Sequence, residues 1–211
     1  MTRYDFTTQP NRLNQNTMKW HEAESDPDLL ELWVADMDFL PVPEIREAVI
    51  NYAQTHIFGY PYPSDELYQA IIDWEKNQHG YVVDKESIVL IEGVVPAIST
   101  AIQAFTKEGD AVLINTPVYP PFARSVRLNN RKLIENSLVK VDGHFEIDFE
   151  QLERDIVDND VKLYVFCSPH NPGGRVWTKE ELTKVADLCQ KHGVLLVSDE
   201  IHQDLALYGN K

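Results

Sequence analysis

Asp199 stands at the end of "VLLVSDE", where an apolar run from Val194 to Val197 leads straight into two acids, Asp199 and Glu200. A carboxylate at the end of a buried strand needs a partner. Solvent or a helix N-terminus satisfies it in the plain case; a cationic ligand atom does so in the chemical one. Three other stretches raise the same kind of question. In "EGVVPA" a strand pattern stops at Gly93 and a helix pattern begins near Pro96. The amides of Val94 and Val95 would then be open N–H groups at a helix N-terminus, suited to an anion, although an ordinary strand-to-helix turn reads the same way. In "TPVYPPF", Tyr119 sits among prolines in a stiff loop. Its ring either packs that loop or walls a pocket for a flat ligand. In "SPHNPGGR", Pro169 and Pro172 restrict their neighbours to extended backbone, so Asn171 is held stiffly, with a side-chain amide able to donate to a ligand oxygen. His170 beside it has no cluster of His, Cys and Asp at ligand spacing, so it reads as structural and no metal site is expected.

None of these four signals is specific alone. Together they describe a ligand with an anionic group, a flat ring, an oxygen acceptor and a protonatable atom. Pyridoxal 5'-phosphate has all four, and its ring nitrogen stays protonated opposite a carboxylate, which makes the ring an electron sink.

The elements that must hold these residues alternate. "SIVLIEG" reads as a strand before the helix "PAISTAIQAFTKEG"; "DAVLINTP" precedes the helix "VYPPFARSVRLNN"; "RKLIENSL" is a weaker strand. "DFEQLERDIVD" is a helix that Asp148 can cap, with Gln151 three positions on, and "VKLYVFCSP" is a strand. "TKEELTKVADLCQKHG" carries a capping box, Thr178 to Glu181, and ends at Gly193 before the last strand. Upstream, "PEIREAVINYAQTH" and "DELYQAIIDWEKNQHG" have helical spacing, the second with Ser64 as N-cap and Gly80 as its stop. The first 45 or so residues are irregular. Strands alternating with helices predict an α/β fold with a mostly parallel sheet covered on both faces, in which ligands bind at the carboxyl ends of the strands. All four chemical stretches lie at such ends.

Composition sets the limits. The 211 residues are 43% hydrophobic and 25% charged, ordinary for a globular protein, and the net charge of −15 argues against nucleic acid or an anionic membrane as partner. No apolar run reaches the length of a membrane span, and the N-terminus lacks the apolar core of a secretory signal. Two cysteines, Cys167 and Cys189, make no disulfide framework. A cytoplasmic location is expected.

"SPHNPGGRVW" followed by "VSDEIH" resembles the class I/II aminotransferase superfamily, the fold-type I enzymes dependent on pyridoxal phosphate. "WVADMDF", "FGYPYP", "GVVPAI" and "DEIHQDL" narrow the resemblance to the bacterial C–S lyases of the MalY/PatB branch, which act as cystathionine β-lyases. It runs the whole length of the chain. The resemblance implies the three-layer, mostly parallel major domain of these enzymes, in truncated form. Residues 1–45 would be an arm belonging to an incomplete small domain, and residues 46–211 the amino-terminal portion of the cofactor-binding domain. It also implies roles. Val94 and Val95 would bind the cofactor phosphate, with Gly93 permitting close approach. Tyr119 would stack on the ring, Asn171 would bond its phenolic oxygen, and Asp199 would pair with its nitrogen. Tyr60 would reach the phosphate of a neighbouring subunit in a homodimer, and Ala35 and Asp36 would line the substrate side.

Three departures from the family pattern stand out. "NPGG" replaces "NPTG", putting Gly173 where threonine is usual, which would loosen the loop. His202 stands where aminotransferases carry tyrosine, which favours elimination over transamination. The lysine that forms the Schiff base, and the arginine that holds the substrate carboxylate, lie further along the family's sequence than Lys211, which does not match the lysine's motif. The chain therefore reads as the front part of a longer lyase that acts on a sulfur amino acid, cystathionine or a cysteine conjugate. By itself it is expected to be inactive and weakly stable, with a hydrophobic sheet edge exposed. An aminotransferase and a non-catalytic remnant or binding module are the alternative readings.

Overall fold

The computed structural model describes residues 4–26, 28–207 and 209, so Lys211 lies outside the described residues. The chain divides into two compact units, Met1–Pro63 and Ser64–Lys211. The break falls after the proline-rich loop.

Polar contacts dominate the first unit. Ala23 is its one buried apolar side chain among the described residues. Asp38 accepts hydrogen bonds from Lys19 Nζ at 2.8 Å, Trp20 Nε1 at 2.9 Å and Arg12 Nη1 at 2.6 Å, and Arg12 also pairs with Asp36. Lys19 first, then Trp20 and Arg12, hold the Asp38 carboxyl at about 2, below its usual 3.8. The helix α1 (Pro43–Thr55) starts on a proline, whose fixed φ and missing N–H suit the first helical position.

The second unit opens with α2 (Asp65–Trp74), capped by Ser64 Oγ accepting the Leu67 N–H at 3.3 Å. Its last turn widens into a π-turn over Glu75–His79 before Gly80 ends it at φ 69°. Then follow α3 (Val94–Phe105), β1 (Ala111–Thr116), α4 (Pro121–Leu128) and β2 (Lys132–Ser137). A hairpin of β3 (Val139–Val141) and β4 (His144–Glu146) precedes α5 (Phe149–Asp158), β5 (Val161–Cys167), α6 (Lys179–His192) and β6 (Leu195–Asp199). The main sheet is four parallel strands in the order β2-β1-β5-β6.

Side chains on a strand alternate between faces, and here both faces are covered. Val112 and Ile114 of β1 and Leu163, Val165 and Cys167 of β5 pack with Ile98 and Ile102 of α3 and Phe122 and Val126 of α4. The intervening Ala111, Leu113, Tyr164 and Phe166 pack on the opposite face with Leu152 and Ile156 of α5 and Val185 and Cys189 of α6. That is why residues 111–114 of β1 and 163–167 of β5 read as unbroken apolar runs, and each fully buried side chain of this kind contributes about 1.5–3 kcal/mol.

One expected strand is not formed. Residues 88–92 of "SIVLIEG" are unpaired among the described residues, with Val89 77% exposed, although Ile88 keeps extended backbone at φ −95°, ψ 118°. A strand exists through its neighbour's hydrogen bonds, and no described strand lies alongside. The outer edge of β6 is likewise unpaired among the described residues.

Candidate functional site

Parallel strands deliver their loops to one edge of the sheet, and three of the predicted stretches leave from it. β1 ends at Thr116, and a cis Thr116–Pro117 bond opens the short loop that carries Tyr119 into α4. β5 ends at Cys167, followed by the loop of Pro169, Asn171 and Pro172 with cis bonds before both prolines. β6 ends at Asp199, whose register partner is Cys167. α3 packs in the same layer against β5 and β6, and Val94 in its first turn rests on the cluster that includes Cys167.

Gly93 caps α3 at φ 139°, a conformation that disfavours any side chain, and its carbonyl accepts the Ala97 N–H at 3.1 Å. Pro96 has no N–H. The amides of Val94 and Val95 lie before the first intrahelical bond, so helix geometry leaves them as open donors. No acidic side chain occupies this first turn.

The two proline loops are tied to each other. Tyr119 N–H donates to the Asn171 carbonyl at 3.1 Å, and His170 Nε2 donates to the Pro117 carbonyl at 2.9 Å. His170 is thus a buried structural residue, and burial pushes its pKa below the usual imidazole value. The Tyr119 ring is 41% exposed and meets Phe122 edge-on. The side-chain amide of Asn171 has no partner among the described residues, while its backbone N–H points at Cys167 Sγ, 3.4 Å away.

Asp199 is 7% exposed. Its Oδ1 accepts the Ile201 N–H at 3.1 Å, and its other oxygen has no partner among the described residues. Val197 packs on the α3/α4 side, so the period-two alternation sends Asp199 to that side as well. Cys167 lies on the same side; burial first, and the Asp199 charge after it, push its thiol up to about 11. Sequence reasoning missed Cys167, because only the register of β5 against β6 brings it beside Asp199.

His202 starts a single 3-10 turn, Gln203–Leu205, and lines a cavity of about 730 Å³ with His144, Glu146, His170, Asn171 and Arg175. This cavity adjoins the sheet edge at Asn171 and His202, but does not take in Tyr119, Asp199 or Val94. Arg175 closes one side: it donates to the Phe145 carbonyl at 2.6 Å, pairs with Glu181 and lies 4.2 Å from the Trp177 ring centre. Gly173 lies against the His170 ring. A Cβ there would fall 2.7 Å from His170 Cδ2 and 3.3 Å from Phe145, so the space is already filled.

Gly93, Val94, Val95, Tyr119, Asn171, Asp199 and His202 all belong to the second unit. Ala35, Asp36 and Tyr60 belong to the first, where Ala35 and Asp36 are exposed, Asp36 is paired with Arg12, and Tyr60 is fully exposed. Among the described residues no group of three or more His, Cys, Asp or Glu could hold a metal ion.

Residues 27–210 match the family described as aminotransferase class I and II. Cystathionine beta-lyase PatB of Bacillus subtilis is 45% identical over 210 residues, which are 98% of this chain and 54% of that protein. Protein MalY of Escherichia coli is 38% identical, over 84% of this chain and 46% of its own length. Among solved structures, cystalysin from Treponema denticola, which contains a pyridoxal 5'-phosphate cofactor, is similar at a TM-score of 0.92 and 41% identity, covering 99% of this chain and 54% of its own. The pyridoxal-phosphate-bound C–S lyase from Staphylococcus hominis gives 0.90 and 31%, with the same coverage. The chain spans about half the length of the curated relatives it matches.

Proposed function

Because the chain belongs to the aminotransferase class I and II family, in its MalY/PatB branch, we propose that it forms the cofactor-holding part of a pyridoxal-phosphate-dependent C–S β-lyase. The substrate would be a sulfur amino acid such as cystathionine or a cysteine conjugate, and the products a thiol, pyruvate and ammonia. The observation that carries this reading is Asp199, a buried carboxylate at the end of β6 with one oxygen unpartnered among the described residues, on a strand against which α3 packs.

The residues present fit the cofactor. Val94 and Val95 offer N–H donors and a helix N-terminus to its phosphate, with no acid in the first turn of that helix to oppose the charge. Gly93 lets that phosphate come close to the backbone. The half-exposed Tyr119 ring is free to stack on the pyridine face, and the unpartnered Asn171 amide to donate to the ring oxygen. Asp199, with one oxygen still open, would hold the ring nitrogen in its protonated form. When bound, the cofactor supplies an electron sink for negative charge developing at the substrate α-carbon. His202, in the place of the tyrosine of aminotransferases, supports elimination over transamination. Ala35 and Asp36 would bound the substrate, and Tyr60 would reach the phosphate of the other subunit of a homodimer. We place the enzyme in the cytoplasm, where the free, buried Cys167 and Cys189 stay reduced.

Titration of the purified chain with pyridoxal 5'-phosphate, followed by tryptophan fluorescence, tests the reading. Asp199→Ala should weaken binding about 10- to 100-fold, the worth of a charge-assisted hydrogen bond. Equal affinity in the two proteins would remove Asp199 from the site and the reading with it.

A further inference from the structure

The loop after β6 is clasped to the end of α2 by three side-chain hydrogen bonds between residues 125 to 130 apart in sequence. Asp204 Oδ1 accepts from both Trp74 Nε1, at 3.1 Å, and His79 Nε2, at 2.8 Å. Gln203 Nε2 donates to Glu75 Oε1 at 2.9 Å. The π-turn is what makes the double contact possible. In a plain α-helix, residues five apart lie about 140° from each other around the axis. The wider i→i+5 turn over Glu75–His79 brings His79 back towards the side of Trp74, so both rings reach one carboxylate oxygen. π-turns of this kind are frequent at functional sites.

From Asp204 a chain of hydrogen bonds from backbone N–H groups runs back to the sheet edge. Leu205 N–H donates to the His202 carbonyl at 2.9 Å, Gln203 N–H to Glu200 at 2.8 Å, and Ile201 N–H to Asp199 Oδ1 at 3.1 Å. Each turn shares a residue with the next or adjoins it. A second cavity, of about 580 Å³, lies against the clasp, lined by His79, Pro169, Trp177, Glu200 and Asp204 among others. The proline loop that carries Asn171 thus borders the same place.

We infer that Asp204 is a positioning residue: through Trp74 and His79 it fixes the loop after β6, and with it the direction in which Asp199 and His202 face. The inference rests on the reading of those two residues as cofactor-facing. Its test does not depend on the cofactor. Amide hydrogen exchange on the full 211-residue chain should show Asp204→Ala accelerating exchange about tenfold at Gln203, Leu205 and Ala206 and at Gly80 and Tyr81, with Val112 and Val165 in the sheet unchanged. Asp204→Asn keeps the acceptor oxygen and should stay within about twofold of the parent. Should Asp204→Ala fail to fold, Trp74→Phe removes only the indole donor and should give a smaller local rise, about threefold. No local change, or an equal rise throughout β1 and β5, would overturn the inference.

Titration with pyridoxal 5'-phosphate then separates the two ideas. If Asp199→Ala loses affinity and Asp204→Ala also loses it, by about tenfold, both stand. If the parent chain and Asp199→Ala bind alike, the cofactor reading fails, while the exchange result still decides the clasp.

Discussion

His170 occupies the space that a side chain at position 173 would need, and this sets the residue-level logic of the "SPHNPGGR" loop. The ring is buried and bonded to Pro117, so it cannot swing aside without losing a bond to the neighbouring loop. Gly173→Thr, which restores the residue usual in the family, should therefore destabilise the chain by about 1–3 kcal/mol, seen as a lower denaturant midpoint. A midpoint at or above that of the parent would show that the ring relaxes at no cost. The same loop shows why Asn171 stands out in the sequence as a candidate and Cys167 does not. Two flanking prolines mark Asn171 in the sequence, but the place of Cys167 beside Asp199 depends on a strand register that no local pattern encodes.

At the scale of elements, the sequence was most readable where a helix end has its own chemistry. Thr178 Oγ1 accepts the Glu181 N–H at 3.2 Å and Glu181 accepts the Thr178 N–H at 2.8 Å, the reciprocal pair that "TKEE" announces. Thr178→Ala should cost about 1 kcal/mol, measured by chemical denaturation, and Thr178→Ser should recover most of it. Asp148 accepting the Gln151 N–H at 3.0 Å was equally legible. Two elements were not. The hairpin β3–β4 turns on Asp142 and Gly143, at φ 47° and 86°, a signature of the Asp-Gly turn that was present in "VKVDGHFE" and went unread because its strands are only three residues long. The stretch "SIVLIEG" has strand-like residues but no described neighbour, and composition does not reveal pairing. The π-turn after α2 has no sequence signal beyond the Gly80 that ends it.

For the whole molecule, burial of ionisable groups sets the response to alkali. Burial raises Cys167 and Cys189 from the usual 9.0 to about 11, and pushes the Tyr164 phenol up as well. A group whose folded pKa is raised contributes stability that is full below the unfolded pKa and lost as pH rises through the folded one. The melting temperature should therefore hold up to pH 9.0 and fall between there and about 11, and Cys189→Ala should flatten part of that fall. A flat profile in the parent would mean that these groups are solvated. The α/β alternation and the parallel sheet were readable from the whole sequence, as was the −15 charge. The order β2-β1-β5-β6 was not, because strand order is a property of crossovers. That order has a further consequence for how the sheet is made. β1 is synthesised first, β2 joins one side of it, β5 the other, and β6 the outside of β5. Each later strand therefore adds to an edge that earlier residues supply, and none has to insert between two strands already paired.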